Sequence, residues 1–229
     1  MKMRSEILKL LRETDGYVSG QQISGQFGVS RTAVWKVIRQ LQEEGYQVEA
    51  VRNKGYHIVD SPDVMTKEEL SSLINTRWAG RNILYYDVTD STNLRIKQAG
   101  DEGAPHGTLA VADRQTAGRG RRGRTWESPA GSSIYMSILL RPEIAPNKAS
   151  MLTLVMALSV AEGIRQCISQ PGCPELQIKW PNDVIINGKK VVGILTEMSS
   201  QIDYINHVTV GVGINVNMTD FPEEIAQTA

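Results

Sequence analysis

The sequence carries no formal net charge, because 25 Lys and Arg residues are balanced by 25 Asp and Glu residues in a chain of 229. That balance excludes a globally basic nucleic-acid protein while leaving room for a local basic face. Cysteine is nearly absent. Cys167 and Cys173, with five residues between them, fit neither a zinc knuckle nor a redox Cys-x-x-Cys pair, and no second cysteine pair exists. They read as two free thiols of a reducing compartment. No apolar run approaches the ~20 residues that cross a bilayer, and Met1-Lys2-Met3-Arg4-Ser5-Glu6 lacks the apolar stretch of a signal peptide. A soluble, cytoplasmic protein with no membrane partner is expected. What is present is length enough for one large or two ordinary domains.

Residues 1–61 read as the first domain, a winged helix-turn-helix. Ile7, Leu10 and Leu11 recur at helical spacing and predict an amphipathic helix ending near Asp15-Gly16. Ser19 with Gln22 forms a capping-box pattern for a short second helix, Gly28-Val29 makes a turn, and Ser30 caps a third helix. On that helix Val34, Ile38 and Leu41 share one face, whereas Arg31, Thr32, Trp35, Lys36 and Arg39 share the other. A stripe mixing cations, a hydroxyl and an aromatic suits contact with phosphates and base edges. Two strand-like runs then flank Arg52-Asn53-Lys54, giving a hairpin with a basic tip. Over residues 1–60 there are 9 Lys and Arg against 7 Asp and Glu, so any DNA-binding surface, Ser30 to Arg39 with Arg52 and Lys54, depends on where the cations sit. Trp35 taken alone fits a core position as well as a reading position, and the three helices fit a protein-contact role as well.

Asp60-Ser61-Pro62-Asp63 reads as the boundary, and the second domain as residues 62–229. Thr66 and Glu69 form another capping box, for a helix to about Asn75. Strands are expected at 83–87, 108–113, 132–140, 176–186, 190–198 and 206–214, with helices from about 91 and from about Lys148 to Ser169. Runs of strands with few crossover helices favour an α+β fold with a mixed sheet over a doubly wound parallel one.

Gly118-Arg119-Gly120-Arg121-Arg122-Gly123-Arg124 places four guanidinium groups on a glycine-rich backbone. Arginine offers a planar fork of donors matched to phosphate and carboxylate, and glycine lets backbone N–H groups approach an anion. Trp126 and an apolar run follow, anchoring the loop to a core. Gly118, Gly120 and Gly123 also satisfy the dinucleotide-binding spacing, but that pattern requires a following helix. Here Ile134, Met136, Ile138 and Leu140 alternate as in a strand, so the dinucleotide reading is rejected.

Three further segments carry polar chemistry. Asp90-Ser91-Thr92-Asn93 stands where a strand gives way to a helix, and serves equally as a set of caps or as a seat for a polar ligand head. Lys179-Trp180-Pro181-Asn182-Asp183 presents a lysine on a rigid turn, suited to two oxyanions that approach during reaction. Asn182 and Asp183 read either as turn residues or as ligands of a magnesium ion beside a triphosphate. In Val208–Asn215, Gly211, Gly213 and Asn215 share one strand face, which leaves room for a flat ligand lying on the backbone.

The arginine-glycine loop, the preceding Ser91-Thr92-Asn93 and the following Lys179-Trp180-Pro181-Asn182-Asp183 together resemble the biotin protein ligases. With the winged helix in front, the chain resembles the bacterial type that is both ligase and biotin operon repressor. The resemblance implies that biotin and ATP react to biotinyl-5′-AMP, from which a lysine of a biotin carboxyl carrier protein takes the biotinyl group. It implies that Ser91, Thr92, Asn93 and Gln115 hold the biotin head, with Gly120, and that Arg119 and Arg121 face the carboxylate and phosphate. Lys179 would lie between carboxylate and α-phosphate, as a catalytic residue with Arg121. Arg122, Trp126, Asn182, Gly211, Gly213 and Asn215 would surround the adenylate. Mg2+ would accompany ATP, and the adenylate-bound form would dimerise on operator DNA. Members of this type continue into a small C-terminal β-barrel, whereas this sequence stops at Glu223–Ala229 in an expected helix, so that a missing C-terminal domain is expected. Two other readings compete: a regulator that senses a ligand without catalysis, which needs no Lys179, and a lipoate-type ligase, which needs no arginine loop.

Overall fold

The computed structural model describes residues 2–168 and 175–221. Cys173, the expected end of the long helix at Ser169 and the expected C-terminal helix lie outside them. The chain divides after Asn75 into two compact units.

The first unit begins with α1 (Lys2–Glu13), α2 (Gly20–Phe27) and α3 (Arg31–Glu43). Both halves of the Ser19–Gln22 capping box form, and Gly28 closes α2 at φ 64°, a left-handed conformation that costs glycine little. The Ser30 side chain accepts from the Ala33 N–H at 3.2 Å and starts α3. Ile7, Leu8, Leu11, Ile23, Val34, Ile38 and Leu41 form the core between the three helices. The hairpin of β1 (Gln47–Val51) and β2 (Gly55–Asp60) follows as the wing. Gly55 sits at φ 117°, and a Cβ there would lie 2.1 Å from the Val18 carbonyl oxygen. That close approach lets Val18 and Tyr56 exchange two backbone hydrogen bonds, at 2.8 and 2.9 Å, which tie the wing to the segment before α2.

The unit continues past the expected boundary at residue 61 through α4 (Lys67–Leu73), where the Thr66 hydroxyl accepts from the Glu69 N–H at 3.2 Å but the expected return bond of the capping box gives way to Arg12 and Tyr46, which hold the Glu69 carboxylate. The physical reason is a buried polar cluster. Glu69, 7% exposed, accepts from Arg12 at 2.6 Å and from the Tyr46 hydroxyl, while Arg12 also donates to Ser61 at 2.9 Å. Burial, then the bond to Glu69, pushes the Tyr46 phenol well above its ordinary pKa. Asp60–Asp63 is therefore a turn within the unit, because the helix after it packs back on α1.

The second unit is an α+β domain around a seven-stranded mixed sheet. Its elements are β3 (Ile83–Thr89), α5 (Thr92–Asp101), β4 (Leu109–Gln115), β5 (Ser133–Leu140), α6 (Met151–Cys167), β6 (Leu176–Lys179), β7 (Asp183–Ile186), β8 (Lys189–Ser200) and β9 (Ile205–Asn215). The strand order is β3-β4-β5-β9-β8-β7-β6, and among the described residues only β3 and β4, joined through α5, run parallel. The single strand expected over residues 176–186 is two strands, reversed by the turn Trp180–Asn182. Val208, Val210 and Val212 of β9 pack with Val192 and Ile194 of β8 against Ala157, Val160 and Ala161 of α6. Alternate residues of the same strands face the other side, where α5 and the arginine loop lie.

Candidate functional site

Antiparallel register assembles the floor of the site on the face away from α6. Lys179 opposes Asp183, Asp183 opposes Gly193, and Gly193 opposes Gly213, so one row crosses β6, β7, β8 and β9. A neighbouring row places Leu195 beside Gly211 and Gly211 beside Ser137. Directly opposed residues point to the same side of a sheet. A Cβ on Gly193 or on Gly213 would come within 2.4 Å of the Trp126 indole, and one on Gly211 within 2.0 Å of Asn93 Oδ1. The flat group resting on these glycines is thus the protein's own. Trp126 and Asn93 fill the strand face that the sequence suggested was bare, and glycine is required beneath them.

The start of α5 is embedded in a buried hydrogen-bond network. The Thr92 N–H and hydroxyl both donate to Gln115 Oε1, at 2.8 and 3.2 Å. Gln115 Nε2 donates to Ser128 Oγ at 2.9 Å, and Ser128 donates to the Trp126 carbonyl at 2.9 Å. The Ser137 hydroxyl lies 2.8 Å from Thr92 Oγ1 and 2.7 Å from Asn93 Oδ1. Asn93 Nδ2 donates to Glu197 Oε2 at 2.8 Å and to the Leu195 carbonyl at 3.3 Å. Ser91 is the N-cap residue of α5 yet makes no side-chain cap bond, and it lines the cavity. Asp90 instead receives the Ser91 N–H at 2.6 Å and pairs with Arg95, whose hydrogen bonds hold the carboxyl below its ordinary pKa.

The arginine loop is a hydrogen-bonded reversal between β4 and β5, with no helix after it. Arg119 and Thr125 form an isolated antiparallel bridge, the Gly120 N–H donates to Arg124 O at 2.7 Å, and the Trp126 N–H donates to Gly118 O at 3.0 Å. Gly118 is packed so closely that a Cβ would lie 2.2 Å from the Trp126 carbonyl oxygen. Arg122 turns the tip at φ 58°. Arg119 pairs with Glu197 at 3.4 Å, and Arg121 donates to Asn182 Oδ1 at 2.9 Å.

Two cavities meet at this loop. An inner one of about 50 Å³ is bordered by Ser91, Thr92, Asn93 and Gln115, by Arg119, Gly120 and Arg121, and by Gly211 and Gly213. An outer one of about 620 Å³ is bordered by Arg122, Lys179, Asp183 and Asn215. Gly120, Arg121, Trp126, Asn182 and Lys190 border both. Lys179 is therefore not grouped with Ser91, Thr92 and Gln115 but stands exposed on the outer cavity. Lys190, which no motif marked, lies with its ammonium 5.3 Å from the Trp126 ring and 2.8 Å from Asp183 Oδ1.

Asn182 and Asp183 do not fit a metal pair as they stand. Asp183 Oδ1 is buried and makes no hydrogen bond, but the Lys190 ammonium stands 2.8 Å from it where a cation would bind, and the Asn182 amide accepts from Arg121 and donates to the Ile194 carbonyl at 3.1 Å. Among the described residues no group of three or more His, Cys, Asp or Glu is placed to hold a metal ion.

On the first unit, Arg31, Thr32, Trp35, Lys36 and Arg39 all face outward from α3. Trp35 is 52% exposed, so it is not a core residue, and the Arg39 guanidinium lies 5.8 Å from its ring centre. The Ser30 hydroxyl is occupied as a cap. Arg31, Thr32 and Trp35 line one wall of a groove of about 650 Å³ whose other wall is the wing tip Arg52–Lys54. Lys36 and Arg39 lie outside that groove.

The residues that sequence reasoning missed are Ser128, Ser137, Lys190 and Glu197. A signal existed for two of them. Ser137 interrupts the apolar strand Ile134–Leu140, and Glu197 is a lone carboxylate two and four residues from Leu195 and Gly193, on their face of β8. Nothing local distinguishes Lys190 from Lys189.

The model of the biotin/lipoate A/B protein ligase family matches residues 85–215, and that of a helix-turn-helix domain matches residues 4–57. The chain is 44% identical to the bifunctional ligase/repressor BirA of Bacillus subtilis over 99% of its length and 70% of that protein. It is 32% identical to the protein of the same name from Escherichia coli K12, over 98% of this chain and 68% of that one. A solved structure of the biotin protein ligase from Aquifex aeolicus in complex with biotin and ATP superposes with a TM-score of 0.54 at 40% identity. That superposition covers 65% of this chain and 58% of the other.

Proposed function

Since the chain belongs to the biotin/lipoate A/B protein ligase family, we propose that it activates biotin with ATP to biotinyl-5′-AMP and passes biotin to a lysine of a biotin carboxyl carrier protein. In the first step a biotin carboxylate oxygen bonds to the α-phosphorus of ATP while the bond to pyrophosphate breaks. In the second, the lysine amine attacks the biotinyl carbonyl, AMP departs, and the amine loses a proton. The observation that carries this reading is the meeting of two cavities at Arg121. The inner one offers amide and hydroxyl groups for a ureido head, and the outer one is large and cation-lined, as a nucleotide requires.

Charge gathers on the oxygens around one phosphorus during adenylation, and fixed cations are the principal means of stabilising it. Arg119 and Arg121 supply that charge on the loop side. Lys179 approaches from the outer cavity, and Lys190 neighbours the indole against which the adenine packs. The Ser91, Thr92 and Gln115 groups orient biotin, with Asn93 acting behind them because its amide is already spent on Ser137, Leu195 and Glu197. The loop shields the reactive mixed anhydride from water. Mg2+ enters with the triphosphate rather than on Asn182 and Asp183.

The winged helix binds operator DNA through α3 and the wing, and the adenylate-bound form is a dimer whose two-fold symmetry matches two operator half-sites. The reading is tested by pyrophosphate exchange into ATP. Exchange that requires biotin and is not supported by lipoate is expected; exchange with lipoate, or none with biotin, would sink it.

A further inference from the structure

Glu197 belongs to no motif of the sequence, yet it joins the arginine loop to the start of α5. We propose that Glu197 is a positioning residue that fixes the direction from which Arg119 meets the anion formed in adenylation. This rests on the biotin ligase reading, which gives Arg119 its substrate. The two carboxylate oxygens are divided between two partners: Oε2 accepts from the buried Asn93 amide at 2.8 Å, and Oε1 lies 3.4 Å from Arg119 Nη1. Glu197 is partly buried, with 31% of its side chain exposed, so Arg119 and solvent together compensate its charge while the Asn93 amide fixes the orientation of the carboxylate.

The bonds form a circuit. From Arg119 it passes through Glu197, Asn93, the Ser137 and Thr92 hydroxyls, the Thr92 backbone N–H, Gln115 and Ser128 to the Trp126 carbonyl, at the far end of the same loop. Both ends of the loop thus hang from one network, which also presents Thr92 and Gln115 to the inner cavity. Arg119 has a long side chain, about half exposed, and among the described residues Glu197 is its one ion-pair partner. Glu197 supplies the constraint that Arg119 lacks by itself. Glu197 borders neither the inner nor the outer cavity, so it acts through the guanidinium.

The test is a double-mutant cycle in the full chain with Glu197→Gln, Arg119→Ala and the two together, reading kcat and KM for biotin in pyrophosphate exchange along with the melting temperature. Glutamine keeps an oxygen for Asn93 and removes the charge facing Arg119. Glu197→Gln should fold and melt like the parent but lose about tenfold in kcat/KM for biotin, the scale of a misplaced binding group. In the Arg119→Ala background the same change should cost nothing further. The same tenfold loss in both backgrounds, or no loss in the presence of Arg119, overturns the proposal. A parent chain without biotin-dependent exchange overturns the functional reading and this proposal with it, whereas an active parent with multiplicative losses overturns the proposal alone.

Discussion

Replacing Gly211 by alanine should damage the second unit far more than a single methyl group suggests. The new Cβ would lie 2.0 Å from Asn93 Oδ1, a separation no real Cβ sustains, and Gly211 is on a central strand that cannot shift without its neighbours. The Asn93 side chain must therefore rotate off the sheet. It then loses its bond from Ser137 at 2.7 Å, its bond to Glu197 at 2.8 Å and its longer bond to Leu195. At about 1 kcal/mol net for each hydrogen bond, with extra cost for buried groups left unpaired, the loss is about 3 kcal/mol. For a domain of this size that corresponds to a melting temperature lower by roughly 6–12 °C. The assay is calorimetric unfolding of the whole chain, following the transition of the second unit. Gly163→Ala is the matched control, since it lies on α6 with nothing within 4 Å of the new Cβ. Helix propensity predicts that it stabilises by about 1 kcal/mol. A Gly211→Ala protein that melts within about 2 °C of the parent would refute the claim that Asn93 is wedged on that glycine.

Lys179→Ala should slow adenylate formation at least tenfold while changing biotin affinity little, because transition-state charge and ground-state binding are separable; equal losses in both would make it a binding residue only. Arg121→Gly should release radiolabelled adenylate at least tenfold faster on gel filtration, a variant that retains it like the parent being the contrary result. Arg52→Ala with Lys54→Ala should weaken operator binding and flatten the dependence of log K on log salt by up to about 1.8, which a filter-binding salt titration reads; an unchanged slope would remove the wing tip from the DNA interface. Hydrogen bonding from Arg95 lowers the Asp90 pKa from 3.8, so the stability it contributes is present above that value and is lost as pH falls through the lower folded value. The melting-temperature difference between parent and Asp90→Asn should accordingly shrink on acidification below pH 3.8, and a difference that stays constant would contradict the pairing.

Much of the first unit was legible because its signals are local. Ser19 and Gln22 cap α2 through bonds spanning three residues, and the apolar spacing of Val34, Ile38 and Leu41 alone turns Arg31, Trp35 and Lys36 outward. The boundary was not legible. A Pro-containing turn followed by a capped helix has the same local pattern whether the helix begins a new domain or folds back. Here Arg12, Tyr46 and Glu69, distant in sequence, draw α4 onto α1. Of the residues that border the inner cavity, Ser91, Thr92, Arg119 and Arg121 stand in motifs visible in the sequence, and Gln115 was named only through the family resemblance. Ser128, Ser137, Lys190 and Glu197 were not legible, since each matters through a partner far along the chain.

The sequence by itself determined the family, the order of strands and helices in outline, and the residue types that handle anions, because caps, periodicity and motif spacing depend on neighbours a few residues apart. Tertiary structure decided what those residues touch. Strand register aligned Lys179, Asp183, Gly193 and Gly213 in one row, seated Trp126 and Asn93 on the glycines, and set Lys179 on the outer cavity apart from the polar group at α5. It also joined Asn93 to Glu197, 104 residues away. Register follows from pairing across the whole sheet and from the burial of one face, and a slip of one residue in β6, β7 or β8 would turn Lys179, Asp183 or Glu197 to the other side.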